Sequence, residues 1–204
     1  MKLKLELASS QMNDYLQETE EVDFSHPHIR KKAEELQKLA IDELSYIENA
    51  FHFVRDEIAH SWDIQSPRVT WKASDVLYFK EGICYAKSNL LCALLRCKGI
   101  PAGFCYQRLT LGDTPDTGYA IHALNAVYLR CLDRWIRLDA RGNKEGVCAQ
   151  FSIDKEKLAF PVRTKYDEAD YPIIYAQPNQ KTMEVLKQSE NALDMYRNRL
   201  PDQL

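Results

Sequence analysis

Apolar positions follow two rhythms along the chain, and the change between them comes near residue 101. Ile29, Ala33, Leu36 and Ala40 follow His26-Pro27 at helical steps, which predicts an amphipathic helix with proline at its first position. Leu44, Ile47, Phe51, Val54 and Ile58 predict a second helix of the same kind. Residues 60–73 lose the period and read as loop with a short strand. A brief helix from Ser74 to Phe79 follows, with Ser74 as its N-cap, and Lys80-Glu81-Gly82 ends it. Between Cys84 and Cys97, the residues Ala86, Leu90, Leu91, Ala93, Leu94 and Leu95 cover most of a helix's circumference, so this segment predicts a buried central helix. Gly99 and Pro101 close it. Beyond Pro101 the period is two. Ala102–Thr110, Tyr119–Leu129 and Trp135–Asp139 read as strands, with Leu111–Gly118 as a loop carrying two glycines and a proline. Met1–Leu7 reads as a short edge strand, and a last helix is expected from about Gln180 to Asn198. Helices first, then one buried helix, then antiparallel strands give an α+β fold.

Composition narrows the function. The chain has 204 residues, 45% hydrophobic and 28% charged, which suits one globular domain and excludes a low-complexity or fibrous protein. It carries 27 basic against 30 acidic residues, a net charge of −3, so no basic excess exists to bind nucleic acid by counterion release. No segment approaches ~18 uncharged apolar residues, so no membrane span is expected. The opening Met1-Lys-Leu-Lys-Leu-Glu-Leu lacks the apolar run of an export signal, which points to a reducing cytoplasm. Cys84, Cys92, Cys97, Cys105, Cys131 and Cys148 are accordingly read as free thiols, and no C-x-x-C pair suggests a cysteine zinc site.

One thiol stands apart. Cys84 lies in the first turn of the central helix, where unpaired N–H groups and the positive end of the dipole favour a thiolate. Cys92 and Cys97 sit farther along, where that field is lost. Among five histidines, His26 and His28 flank a proline at a helix start, His52 lies beside an apolar stripe, and His60 follows the second helix in a position to cap it. His122 is central in a strand. The tight connection Arg130-Cys-Leu-Asp-Arg134 predicts a hairpin that sets His122 and Asp139 on one face, directly opposite or diagonal, within ~5 to 8 Å. A carboxylate there would hold the imidazole tautomer and stabilise its charged form.

Gly82-Ile-Cys84-Tyr-Ala-Lys, followed by Leu94-Leu-Arg-Cys-Lys-Gly-Ile-Pro-Ala102, resembles the catalytic-cysteine segment of the transglutaminase-like superfamily. His122 in its strand and Trp135-Ile-Arg-Leu-Asp139 resemble that family's histidine and aspartate segments. The resemblance covers roughly residues 45–142 and implies a single domain over 1–204, with a papain-like core whose cysteine helix packs on an antiparallel sheet. One departure is His122-Ala-Leu, where the family often shows His-Ala-Trp.

The implied chemistry is acyl transfer on a peptide or amide substrate, with Cys84 as nucleophile, His122 as base and Asp139 as its orienter. The backbone N–H of Cys84 and one further donor would meet the oxyanion. Trp62 is the candidate through its indole N–H, with Gln65 nearby. Nothing in the sequence calls for a metal or an organic cofactor, and no acidic loop of calcium-binding form is present. The same three residues serve a cysteine hydrolase, a transglutaminase-type acyltransferase joining glutamine to an amine, or a non-catalytic binding module that has kept the triad. Oligomeric state is open.

Overall fold

The computed structural model describes residues 3–112 and 114–204. Its helices are α1 (Pro27–Lys38), α2 (Glu43–Glu57), α3 (Ala73–Phe79), α4 (Cys84–Cys97), α5 (Gln180–Lys187) and α6 (Ala192–Asn198). Its strands are β1 (Glu6–Leu7), β2 (Ala59–His60), β3 (Glu81–Gly82), β4 (Ala102–Thr110), β5 (Tyr119–Leu129), β6 (Arg134–Leu138), β7 (Ala169–Asp170) and β8 (Ile173–Ile174). The architecture is α+β, as expected.

The apolar stripes act as their spacing predicts. Ile29 and Ala33 of α1, and Ile47, Phe51 and Val54 of α2, are fully buried. Asp42 and Ser45 cap α2 reciprocally, which satisfies two first-turn donors. Every residue of α4 from Cys84 to Arg96 is buried, and the helix packs on β5. Leu90, Leu91, Leu94 and Leu95 each contribute about 2 kcal/mol by leaving water. Past the helix, Gly99 takes φ +69°, a conformation that side chains resist, and Ile100 N–H returns to Leu95 O at 3.1 Å.

Polar groups inside this core are spent on backbone. The Arg96 guanidinium donates to Gln17 O (2.6 Å), to Ala102 O (2.7 Å) and to Ala176 O, gathering three distant stretches of chain. Asn125 Nδ2 donates to Ser88 O and Gly103 O, which ties α4 to the hairpin beneath it. The main sheet runs β6-β5-β4-β7, all antiparallel, with unbroken β4–β5 register from Ala102 opposite Val127 to Thr110 opposite Tyr119.

Four expectations shift. The third hairpin strand stops at Leu138, so Asp139 is the first residue beyond it. The last helix is two: Asn191 accepts from Leu193 and Asp194 N–H groups, and a side chain that caps a new helix ends the continuous one. Ser74 is not the N-cap of α3, because its hydroxyl donates to Asp23 and the cap position falls to Lys72. At the start of the chain, only Glu6–Leu7 pairs, in parallel with β8. Residues 1–2 of the expected edge strand and residue 113 of the expected loop lie outside the described residues. Among the described residues, no helix is long and apolar enough to cross a membrane.

Candidate active site

The site begins with close packing at Gly82. A Cβ there would stand 2.9 Å from Thr70 Oγ1 and 3.0 Å from Ala86 Cβ, so only glycine lets β3 run this near the first turn of α4. Two residues later Cys84 opens the helix. No side chain caps that end, and Cys84 is 9% exposed at the wall of a cavity of about 500 Å³.

His122 reaches the same cavity from β5. It is 6% exposed, and Phe160 meets its ring edge-on with centroids 5.2 Å apart. The hairpin register pairs Asn125 with Leu138, which sets Asp139 diagonal to His122, and His122 Nε2 lies 2.8 Å from Asp139 Oδ2. Cys84 stands near enough to bear on the charge of the His122 ring, and both side chains line the one cavity. Asp139 is 1% exposed and also accepts from two backbone donors, Ala159 N–H at 3.0 Å and Arg141 N–H at 3.2 Å.

Electrostatics follow from these contacts. Burial alone would discharge the His122 ring, but Asp139 and Cys84 outweigh it and push His122 up to about 10. Burial would likewise protonate Asp139, yet the His122 charge and the two N–H donors hold its carboxyl below the usual range. The arrangement is a buried carboxylate, an imidazole it orients, and a sulfur at the wall of the cavity that the imidazole lines. A bound carbonyl at Cys84 could be attacked, and the imidazole is placed to carry a proton between sulfur and leaving group.

The three residues read from sequence as Cys84, His122 and Asp139 thus meet. Trp62 does not join them. Its ring lies stacked on Tyr196 at 4.4 Å, with the Arg197 guanidinium near its face, and it is not among the residues lining the cavity. His60 lines the cavity instead, rather than capping α2. The rim also draws on segments that carry no sequence period: Arg141 donates two hydrogen bonds to Asp63, and Phe160, Tyr196 and Leu200 face the cavity. Asp63 is held near 2, since Arg141 and Lys144 overcome its burial.

The model of the transglutaminase-like superfamily matches residues 30–140. The chain belongs to that superfamily. The match takes in Cys84, His122 and Asp139, whereas Ala159, Phe160 and Tyr196, which complete the surroundings of this superfamily site, fall outside it. No curated protein matches the sequence. Among solved structures, the chain is similar to a candidate cysteine protease from Cytophaga hutchinsonii, at TM-score 0.53 and 18% identity over 65% of this chain and 43% of that one. It is also similar to the periplasmic domain of TgpA from Pseudomonas aeruginosa, at TM-score 0.47 and 18% identity over 65% of this chain and 48% of that one. The chain spans less than half the length of either structure, and the first likeness concerns the fold.

Proposed function

We propose that this transglutaminase-like protein is a cysteine hydrolase of peptide or amide bonds, working by acyl transfer through Cys84, His122 and Asp139. The observation that carries the reading is the buried His122–Asp139 pair at 2.8 Å, with His122 and Cys84 lining one cavity. His122 withdraws the Cys84 proton, and the sulfur attacks the acyl carbon. The carbonyl electron pair moves to oxygen, where the Cys84 N–H accommodates it. The pair returns, the C–N bond breaks, and His122 protonates the departing amine. Water then gives its proton to His122 and attacks the thioester, releasing acid and thiol.

The flanking segments supply Ala159, Phe160 and Tyr196 to this site, which favours the 204 residues acting as one domain. Six free cysteines suit the reducing cytoplasm. The test is incubation with a peptide mixture, with and without a primary amine, read by mass spectrometry. Cleaved or deamidated peptides made by wild type and absent with Cys84→Ala are expected. Amine incorporation outrunning hydrolysis would replace hydrolase by acyltransferase. No Cys84-dependent product from peptides or from an activated ester would leave a binding module.

A further inference from the structure

We propose that His60 is a further catalytic residue, donating a ring N–H hydrogen bond to the oxyanion that forms when Cys84 attacks an acyl carbonyl. The assignment rests on the acyl-transfer reading of Cys84 and supplies the second donor that reading requires.

Position is the first argument. β2 pairs with β3 in parallel register, His60 opposite Gly82, and Ser61 N–H bonds to Gly82 O at 3.3 Å while Ala59 N–H bonds to Lys80 O at 2.9 Å. Only Ile83 separates Gly82 from Cys84, so His60 is fixed relative to the nucleophile by backbone ladder rather than by a loop. It lines the cavity that Cys84 and His122 line.

Unmet hydrogen-bonding capacity is the second. His60 is 5% exposed; its Nδ1 is sealed from solvent without a partner, which leaves Nε2 as the ring nitrogen open to the cavity. Buried polar groups without partners are rare, and a neutral ring with its N–H on Nε2 has a hydrogen bond to give only to a ligand in the cavity. Tyr196 stands perpendicular to the ring at 6.1 Å and limits its tilt. Trp62, the other aromatic donor upstream of Cys84, is stacked on that same tyrosine.

Protonation state is the third. Burial, helped by the positive charge of Arg141 and of Lys87 and opposed by Asp63, keeps His60 well below the ordinary histidine range. A neutral ring carries one N–H, does not repel the charged His122, and cannot compete with it as the working acid. Preorganised neutral donors of this kind act where charge develops on oxygen.

The experiment compares two reactions of Cys84. Acylation by p-nitrophenyl acetate passes through an oxyanion; alkylation by iodoacetamide does not. His60→Ala is expected to slow acylation about 100-fold while alkylation stays at the wild-type rate. His60→Gln, which returns an N–H donor, should recover about tenfold of that loss. If His60→Ala does not fold, His60→Leu fills the space without a donor and gives the same comparison. Equal losses in both reactions, or acylation unchanged, would overturn the assignment. Wild-type Cys84 that alkylates but never acylates would overturn the acyl-transfer reading, and the role of His60 with it. Acylation that is intact in wild type and indifferent to His60 removes His60 alone.

Discussion

The regular core and the irregular stretch from residue 140 to 178 are held together by different forces. Around α4, the fastening is apolar: leucines at zero exposure, with polar side chains turned to backbone carbonyls. The later stretch adds ion pairs to a small apolar cluster of Val147, Ala149 and Ala159 packed with Phe160. Arg137, on β6, grips Glu156 and Asp170; Arg163 grips Glu168; Arg55 reaches Ala149 O. The core carries Cys84 and His122, and the stretch supplies Ala159 N–H to Asp139 and the Phe160 ring against His122. The ion pairs of Arg137 and Arg163 are part-buried, with side chains between 1% and 33% exposed, and each depends on a matched charge, whereas apolar burial does not. Cys84 and His122 thus stand on the apolar-packed part, and much of what surrounds them comes from the ion-paired one.

Mutations can separate the halves. The largest effect should come from the core: His122→Ala lowers acylation of Cys84 by about 10⁴-fold and removes its fast alkylation, measured with p-nitrophenyl acetate and iodoacetamide in protein whose circular dichroism is unchanged. A folded variant that labels at the wild-type rate would take His122 out of the base role. Asp139→Asn should cost about 10³-fold, since an amide can neither stabilise the charged ring nor accept both backbone donors as well. Within the irregular stretch, Ala159→Pro deletes one N–H donor to Asp139, and about a tenfold loss is expected, with Ala159→Gly near wild type. If proline and glycine behave alike there, the stretch does not reach the carboxylate. Phe160→Leu, which loses the edge-on ring contact but keeps bulk, should change acylation only about two- to threefold.

The smallest effect is on stability against pH. His122 is raised to about 10, so its contribution is complete below its unfolded value near 6.5 and is lost as pH climbs to about 10. Lys87, buried in α4 and close to Arg141, is lowered to about 7. The unfolded chain therefore keeps that proton longer, and the lysine's contribution improves as pH rises from about 7 toward 10.5. The two slopes oppose each other across one window. Urea unfolding of wild type should vary little between pH 7 and about 10, while Lys87→Met should lose stability steadily over that range. Parallel curves would show that one of these groups titrates normally.

The sequence was most legible where one local pattern and the tertiary environment agree. The residues from Cys84 to Cys97 are apolar on nearly every side, and they are buried on nearly every side; β4 and β5, rich in aromatic and apolar residues, are buried along almost their whole length on both faces. His122 and Asp139 could be put on one face because a short hairpin leaves few registers. Only the choice between opposite and diagonal needed coordinates. What stayed hidden depends on chain closure over long separations. Nothing local marks Ala159 as the partner of a carboxylate 20 residues earlier, or Tyr196 as the wall beside His60. His60 itself reads like a helix-end residue until the β2–β3 ladder, joining segments 22 residues apart, turns that position toward the cavity. Trp62 carried the better donor by chemistry, but an aromatic neighbour from near the end of the chain claims its face.

Asp139 takes hydrogen bonds from positions 122, 141 and 159, and two of those three donors are main chain rather than side chain. A carboxylate so surrounded has no rotation left. Its aim can be spoiled by cutting or lengthening the run between 142 and 158, far along the chain from any reacting atom. That run therefore governs the aim of the carboxylate while Cys84, His122 and Asp139 all stay in place.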